Sequence, residues 1–179
     1  MHIGSSSTNA TTSVDAPDGV VMALTFSNSQ SALVDWVLSG SLARFPNLKI
    51  AFSEGQVGWM PYVIERMDKV FLHSSSWANL DPAITELPSS YIPGRVYGCF
   101  FDDDIALTLR NEIGIGQLTF ETDYPHQDST WPNTRDVVLR MSKRLSEREL
   151  YQVVRGNALQ MLGLDETAFA RGGDPLKVR

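Results

Sequence analysis

The sequence predicts an α/β fold built on a parallel sheet, and three observations carry that prediction. Short apolar runs, LKIAF at 48–52, VYGCFF at 96–101 and QLTFET at 117–122, alternate with segments of helical periodicity, the pattern of successive β-loop-α units. Each crossover is long enough to hold a helix, which implies parallel strands joined by right-handed connections. Polar residues capable of chemistry leave each run at its carboxyl end, where parallel α/β folds bind their ligands.

Taken in order, residues 1–5 (MHIGS) are expected to form a first short strand. Residues 6–19, rich in Ser, Thr, Asn and Asp, read as a loop. A helix is expected over 30–42, where Leu33, Val34, Val37 and Leu38 share one face and Gly40 lies near the end. Arg44-Phe45-Pro46-Asn47 turns the chain into 48–52. The loop SEGQVGW at 53–59 leads into a helix with Pro61 near its first turn, where a missing N–H costs little. Met60, Val63, Ile64, Met67, Val70 and Phe71 form the apolar stripe of that helix. Residues 73–95, with three prolines, are irregular.

Beyond the 96–101 strand, Asp102, Asp103 and Asp104 can cap a helix that runs to about residue 113. Gly114 and Gly116 punctuate the turn into 117–122. A helix over 134–145 would bury Val137, Val138, Met141 and Leu145. Ser146-Glu147-Arg148-Glu149 is a capping box, with Ser at the cap and Glu three residues on. The helix that it opens turns Leu150, Val153, Val154 and Met161 inward and ends at Gly163. This organisation gives one domain over 1–165 and a C-terminal tail over 166–179.

The bulk numbers narrow the function classes. A chain of 179 residues with 42% hydrophobic and 20% charged residues reads as globular. Its net charge of −6 argues against a nucleic-acid partner, which needs a basic stripe. No polybasic or long apolar run points to a membrane, and a cytoplasmic location is expected. The single cysteine, Cys99, forms no internal disulfide and reads as a small buried hydrophobe in YGCFF. Gly114-Ile115-Gly116 precedes a strand rather than following one, so no dinucleotide fingerprint is present, and no G-x-S-x-G elbow occurs.

At the strand ends stand His2, then Ser53 and Glu54, then Asp102 to Asp104, then Thr122, Asp123 and His126. Carboxylate oxygen and imidazole nitrogen suit a hard or borderline divalent metal, and His2, Glu54, Asp123 and His126 are of those types. A metal lowers the pKa of its bound water, and a neighbouring carboxylate can take the proton. Each residue also has a plain structural reading. His2 reads equally as an ordinary terminal residue, Glu54 as a helix-favouring acid, Asp123 as the start of an Asx-turn and Asp102 to Asp104 as caps. His73 reads as a helix-end histidine, and Trp36, Trp59 and Met67 as core or lining.

Four blocks, FPNLKIAFSEGQVGWMPYVIERMD, PSSYIPGRVYGCFFDDD, IGQLTFETDYPHQDSTWP and VVRGNALQMLGL, occur in this order over roughly residues 1–165. They resemble the C-terminal half of the amidohydrolase-2 family. Its members are metal-dependent hydrolases and decarboxylases related to aminocarboxymuconate-semialdehyde decarboxylase. DYPH-x-x-x-x-WP is the most specific block. The resemblance implies a (β/α)8 TIM barrel with a divalent metal, Zn or Mn, at the carboxyl ends of the strands. It implies that Asp123 is metal ligand and proton-transfer group and that His2, at the end of strand five, is a further ligand. Glu54 stands where many members carry a substrate- or metal-contacting His, and is assigned to substrate. His126 is assigned to the catalytic site beside Asp123.

The family's first strand carries a His-x-His or Glu-x-His ligand pair, and no such pair occurs here. A full barrel takes about 250 residues, against 179 in this chain. The expectation is therefore four parallel (β/α) units of a TIM barrel, strands five to eight. A half barrel would expose two sheet edges and call for a partner, either a second copy or the missing N-terminal half. The expected substrate is a small organic molecule, carboxylic or cyclic. The alternative is a half barrel that is inactive alone, or a subunit that works only through assembly. Hydrolysis and decarboxylation stay open. Arg44, Arg66 and Arg95 are available for a substrate carboxylate, and no motif places any of them.

Overall fold

The computed structural model describes residues 1–165 except Ser7 and Asn9, together with Thr167. Its centre is a parallel sheet of β1 (Ile50–Phe52), β2 (Val96–Phe100) and β3 (Leu118–Phe120) in that order. Gly98 of β2 lies opposite Phe52 on one side and Leu118 on the other. Every residue of β2 is buried, which is why VYGCF reads as a continuous apolar run without alternation. One face of the sheet carries Ile50, Phe52, Val96, Phe100 and Leu118 into the main hydrophobic cluster. The other carries Ala51, Tyr97, Cys99 and Thr119, because successive side chains point to opposite faces.

The helices supply the rest of that cluster. α1 spans Asp18–Leu24, α2 Ser27–Leu38, α3 Ser41–Arg44 and α4 Met60–Ser74. α2 buries Leu33 and Val37, and α4 buries Met60, Val63 and Met67 from its 3.6-residue stripe. α5 spans Asp104–Thr108, α6 Arg110–Ile113, α7 Thr134–Met141, α8 Glu147–Tyr151 and α9 Asn157–Leu162. Val137 and Met141 of α7 face the core. Ser146 caps α8 with the full capping box, its hydroxyl accepting from the Glu149 N–H while the Glu149 carboxylate takes the Ser146 N–H.

Several elements depart from the expectations. The strand expected over 1–5 is a single parallel bridge, His2 to Ser53, followed by a 3-10 turn at Ile3–Ser6. The Met1 carbonyl accepts the Ser53 N–H at 2.7 Å, so the chain starts in the sheet. It then leaves because the Gly4 N–H returns to His2 Nδ1 at 2.9 Å and Asn28 holds the Ile3 carbonyl. The helix expected over 30–42 breaks at Gly40, whose φ of 73° ends α2 and starts α3. α1 begins at Asp18, inside the expected loop, and buries no residue, so it carries no periodic core signal. The helix after Asp103 breaks at Leu109. Between α8 and α9 the backbone widens into a π-turn at Gln152–Gly156. The tail over 166–179 lies outside the described residues apart from Thr167.

Candidate active site

The carboxyl ends of the strands meet at an open cleft of about 550 Å³. Glu54, Asp123, His126 and Asp128 give it a polar side, and Met22, Phe26 and Phe101 an apolar one. Three of the four predicted site residues therefore line one cavity. His2 stands at its edge, where its Nε2 lies 2.7 Å from Glu54 Oε1. The structure thus groups the four as two pairs, His2 with Glu54 and His126 with Asp123, the second at 3.2 Å.

The backbone at this mouth is strained. Glu54, Gln56 and Asp123 adopt φ values of 62°, 49° and 54°, a region that costs a non-glycine residue about 1–2 kcal/mol. Such residues gather where the surrounding structure holds them for a purpose. The Asp123 turn is closed by the His126 N–H on the Asp123 carbonyl at 2.7 Å. Tyr124 and Trp131 stack edge to face over it, 5.1 Å between centroids, both largely exposed.

The hydrogen bonds assign the His2 tautomer. Nδ1 accepts the Gly4 N–H, so Nε2 carries the proton that meets the Glu54 carboxylate. No lone pair of the ring is then free, and metal ligation through Nε2 would replace the Glu54 bond. At His126, Nδ1 lies 3.2 Å from the Asp123 carboxylate and also 3.2 Å from the Asp128 N–H. It cannot donate to the first and accept from the second at once, so the ring's tautomer selects the partner. Among the described residues no three His, Cys, Asp or Glu side chains converge to hold a metal. The donor types suit a divalent ion, but these residues by themselves do not assemble its coordination sphere.

Sequence reasoning missed Glu121. Two residues before Asp123, its carboxylate reaches from the end of β3 to the end of β1. There it accepts the Ser53 hydroxyl at 2.8 Å and the Glu54 N–H at 2.5 Å. Burial pushes its pKa up, the bonds from Glu54 and Ser53 oppose that, and the charges of Glu54 and Asp123 push it up again. The only available signal was an acid inside the apolar run LTFE, which a strand end excuses. Gln56 was also missed; its buried Oε1 has no partner among the described residues.

The remaining strand-end acids are structural. Asp103 caps α5 through the Ala106 N–H, Asp102 pairs with Arg140, and Asp104 with Arg144. Arg44 pairs with Asp81, and Arg95 donates to the carbonyls of Leu42, Phe45 and Leu48. Arg66 borders a groove between α2 and α4. None of these three arginines lines the cleft. His73 stands in the last turn of α4 as expected, and Cys99 is buried.

A family model described as amidohydrolase matches residues 1–164. The chain is 27% identical over 144 residues to 2-amino-3-carboxymuconate-6-semialdehyde decarboxylase of Dictyostelium discoideum, covering 77% of this chain and 37% of that one. Among solved structures, an amidohydrolase of Mycobacterium avium subsp. paratuberculosis superposes with a TM-score of 0.66 at 19% identity, over 82% of this chain and 36% of the other. A dihydroxybenzoic acid decarboxylase of Polaromonas sp. JS666, solved with bound manganese and the inhibitor 2-nitroresorcinol, gives 0.58 at 21% identity, over 78% and 41%. Both likenesses are of fold. The chain spans little more than a third of the length of the Dictyostelium relative.

Proposed function

The chain belongs to the amidohydrolase family, and from that premise we propose that it carries the strand-five-to-eight part of a TIM-barrel active site. The enzyme is a metal-dependent hydrolase or non-oxidative decarboxylase acting on a small organic substrate, carboxylic or cyclic. One observation supports this reading above the others: Glu54, Asp123 and His126 line a single cleft at the carboxyl ends of parallel strands. That is where a (β/α)8 enzyme places its chemistry. The decarboxylase relative supports decarboxylation and the neighbour solved with manganese supports a divalent ion; Zn or Mn is our reading from the imidazole and carboxylate donor types.

In this reading Asp123 is ligand and proton-transfer group, held by its left-handed turn so that the carboxylate stands at the cleft. His126 orients or exchanges a proton with it across 3.2 Å. Glu54 faces the substrate, and His2 is a ligand once Nε2 is released from Glu54. The apolar wall of Met22, Phe26 and Phe101 fits a planar or cyclic substrate body.

A second reading has its own support. Three donors do not converge among the described residues, so the remaining ligands would come from a partner, either a second copy or a complementary N-terminal half. Alone, the chain would then be inactive.

Elemental analysis of the purified 179-residue protein, beside Asp123→Ala, separates the two. Near-stoichiometric Zn or Mn, lost in the variant, supports the metal-dependent enzyme. No metal in either protein refutes it for this chain alone and leaves the assembly-dependent reading.

A further inference from the structure

Glu121 is absent from the cleft wall yet touches what builds it. Its carboxylate leaves the end of β3 and reaches the end of β1, two strands away in the sheet. The intervening strand β2 presents the small side chain of Cys99, which lies near enough to feel the Glu121 charge. The two carboxylate oxygens divide their work. Oε2 accepts the Ser53 hydroxyl and Oε1 the Glu54 N–H, at 2.8 and 2.5 Å.

The second bond falls on a residue that would not choose its own conformation. Glu54 sits at φ 62°, where a non-glycine residue needs an outside constraint. That conformation sends the Glu54 carboxylate to His2 Nε2 at 2.7 Å, with Glu54 only 10% exposed and His2 57%. The imidazole is the exposed partner, and Glu54 the largely buried one. A continuous path of hydrogen bonds therefore runs from β3 through Glu121 and Glu54 to His2.

We propose that Glu121 is the positioning residue of this site, holding the Ser53-Glu54 corner so that Glu54, together with the Gly4 N–H on the opposite ring nitrogen, fixes the orientation and tautomer of His2. It acts from behind the cleft and touches no ligand there. This rests on the proposed site only for what the corner is used for. The orientation itself is a property of the chain, and can be tested without substrate or metal.

The test is nuclear magnetic resonance on the chelator-treated chain, comparing wild type with Glu121→Gln and Glu121→Ala. Two signals are read: the Glu54 amide, by its proton shift and hydrogen exchange, and the His2 ring nitrogens, by their tautomer-sensitive shifts. In Glu121→Ala the Glu54 amide is expected to move upfield and exchange about tenfold faster. The His2 ring signals should shift with it, although residue 121 does not touch His2. Glu121→Gln keeps an acceptor in the same place and should restore both signals in part. If the Glu54 amide moves while His2 is unchanged, Glu121 is a local structural group and the proposal fails. It also fails if Glu121→Gln leaves the fold intact and behaves as Glu121→Ala does. Metal analysis is a separate measurement, so an absent metal would overturn the metal-dependent reading of the chain alone and leave this inference standing.

Discussion

Asp103 Oδ2 accepts the backbone N–H of Gly58 at 2.8 Å, and that of Val57 at 2.9 Å, while Oδ1 caps α5 through the Ala106 N–H. One carboxylate thus ties the SEGQVGW loop, which carries Glu54, to the start of α5, beyond α4 and β2. Gly58 is where the approach is closest: a Cβ there would meet Asp103 Oδ1 at 2.9 Å. Removing the carboxylate orphans three N–H groups, at least two of them in a partly buried loop. Asp103→Ala is expected to cost about 2–4 kcal/mol, the sum of a lost cap and unpaired donors. Urea unfolding reads this directly, and a loss under 1 kcal/mol would show that water replaces the carboxylate at little cost. Asp103→Asn, which keeps an acceptor, should lose less.

Gly98 is a glycine by packing. It lies mid-strand in β2 with an ordinary φ, and a Cβ there would stand 2.0 Å from Val57 Cγ1 and 3.1 Å from Met60 Sδ. Both neighbours are completely buried, so neither can swing into solvent. Gly98→Ala is expected to destabilise by about 3 kcal/mol through overpacking. Val57→Ala in the same chain should recover part of that loss, because it removes the opposing methyls. Thermal unfolding of the two single variants and the double variant tests the coupling, and strict additivity would contradict it.

Asn157 is buried at the start of α9, and its Nδ2 donates to the carbonyls of Ile115 and Leu118 at 2.7 and 2.8 Å. It fastens the C-terminal helix to the edge strand β3, two residues upstream of Phe120 and the site beyond it. Asn157→Leu leaves the Leu118 carbonyl without this donor and the Ile115 carbonyl with the Leu118 N–H alone, and is expected to cost about 1–3 kcal/mol despite the added apolar volume. Equal or greater stability in chemical denaturation would mean that the carbonyls find water.

The elements most legible in the sequence were those whose signal is local. The α4 stripe and the Ser146–Glu149 capping box needed only spacing, and both formed as read. The three strands were found because buried parallel strands read as apolar runs. Asp123, His126 and Glu54 were singled out because they follow strand ends, and all three line the cleft. What failed depended on contacts distant in sequence. The 1–5 strand gave way to a turn held by Asn28, 25 residues away from Ile3. Glu121 was invisible because its partners lie 67 and 68 residues earlier. No residue spacing reports that an acid in LTFE will bend back across a strand.

Glu149 sets an acid limit on the C-terminal helices. The Arg110 guanidinium at 2.8 Å, with the Ser146 N–H and hydroxyl, holds its carboxyl down to about 2, below the ordinary value of 4.5. A carboxyl whose pKa is depressed in the folded state adds stability above its unfolded value and loses it as pH falls. The contribution should be complete above about 4.5, decline between 4.5 and 2, and vanish below. The stability difference between wild type and Glu149→Gln, followed by denaturant unfolding across that range, should shrink on the same schedule. A difference independent of pH would assign the effect to the uncharged part of the capping box.

Cys99 tests whether the sheet face opposite the main hydrophobic cluster is closed. The thiol takes a 3.0 Å hydrogen bond from the Thr119 hydroxyl, yet burial dominates and pushes its pKa up to about 11. The Glu121 charge adds to the rise. The thiolate is the nucleophile that attacks iodoacetamide, so both burial and the raised pKa slow the reaction. At pH 8 the native chain should resist iodoacetamide while the urea-unfolded chain reacts fully, as mass spectrometry would show. The raised pKa also works on stability, with the sign opposite to that at Glu149. The unfolded thiol ionises first, so the contribution is whole below about 9 and is lost as pH rises from 9 to 11. Cys99→Ser should remove that alkaline slope, and rapid labelling of the native protein at pH 8 would show that this face opens to solvent.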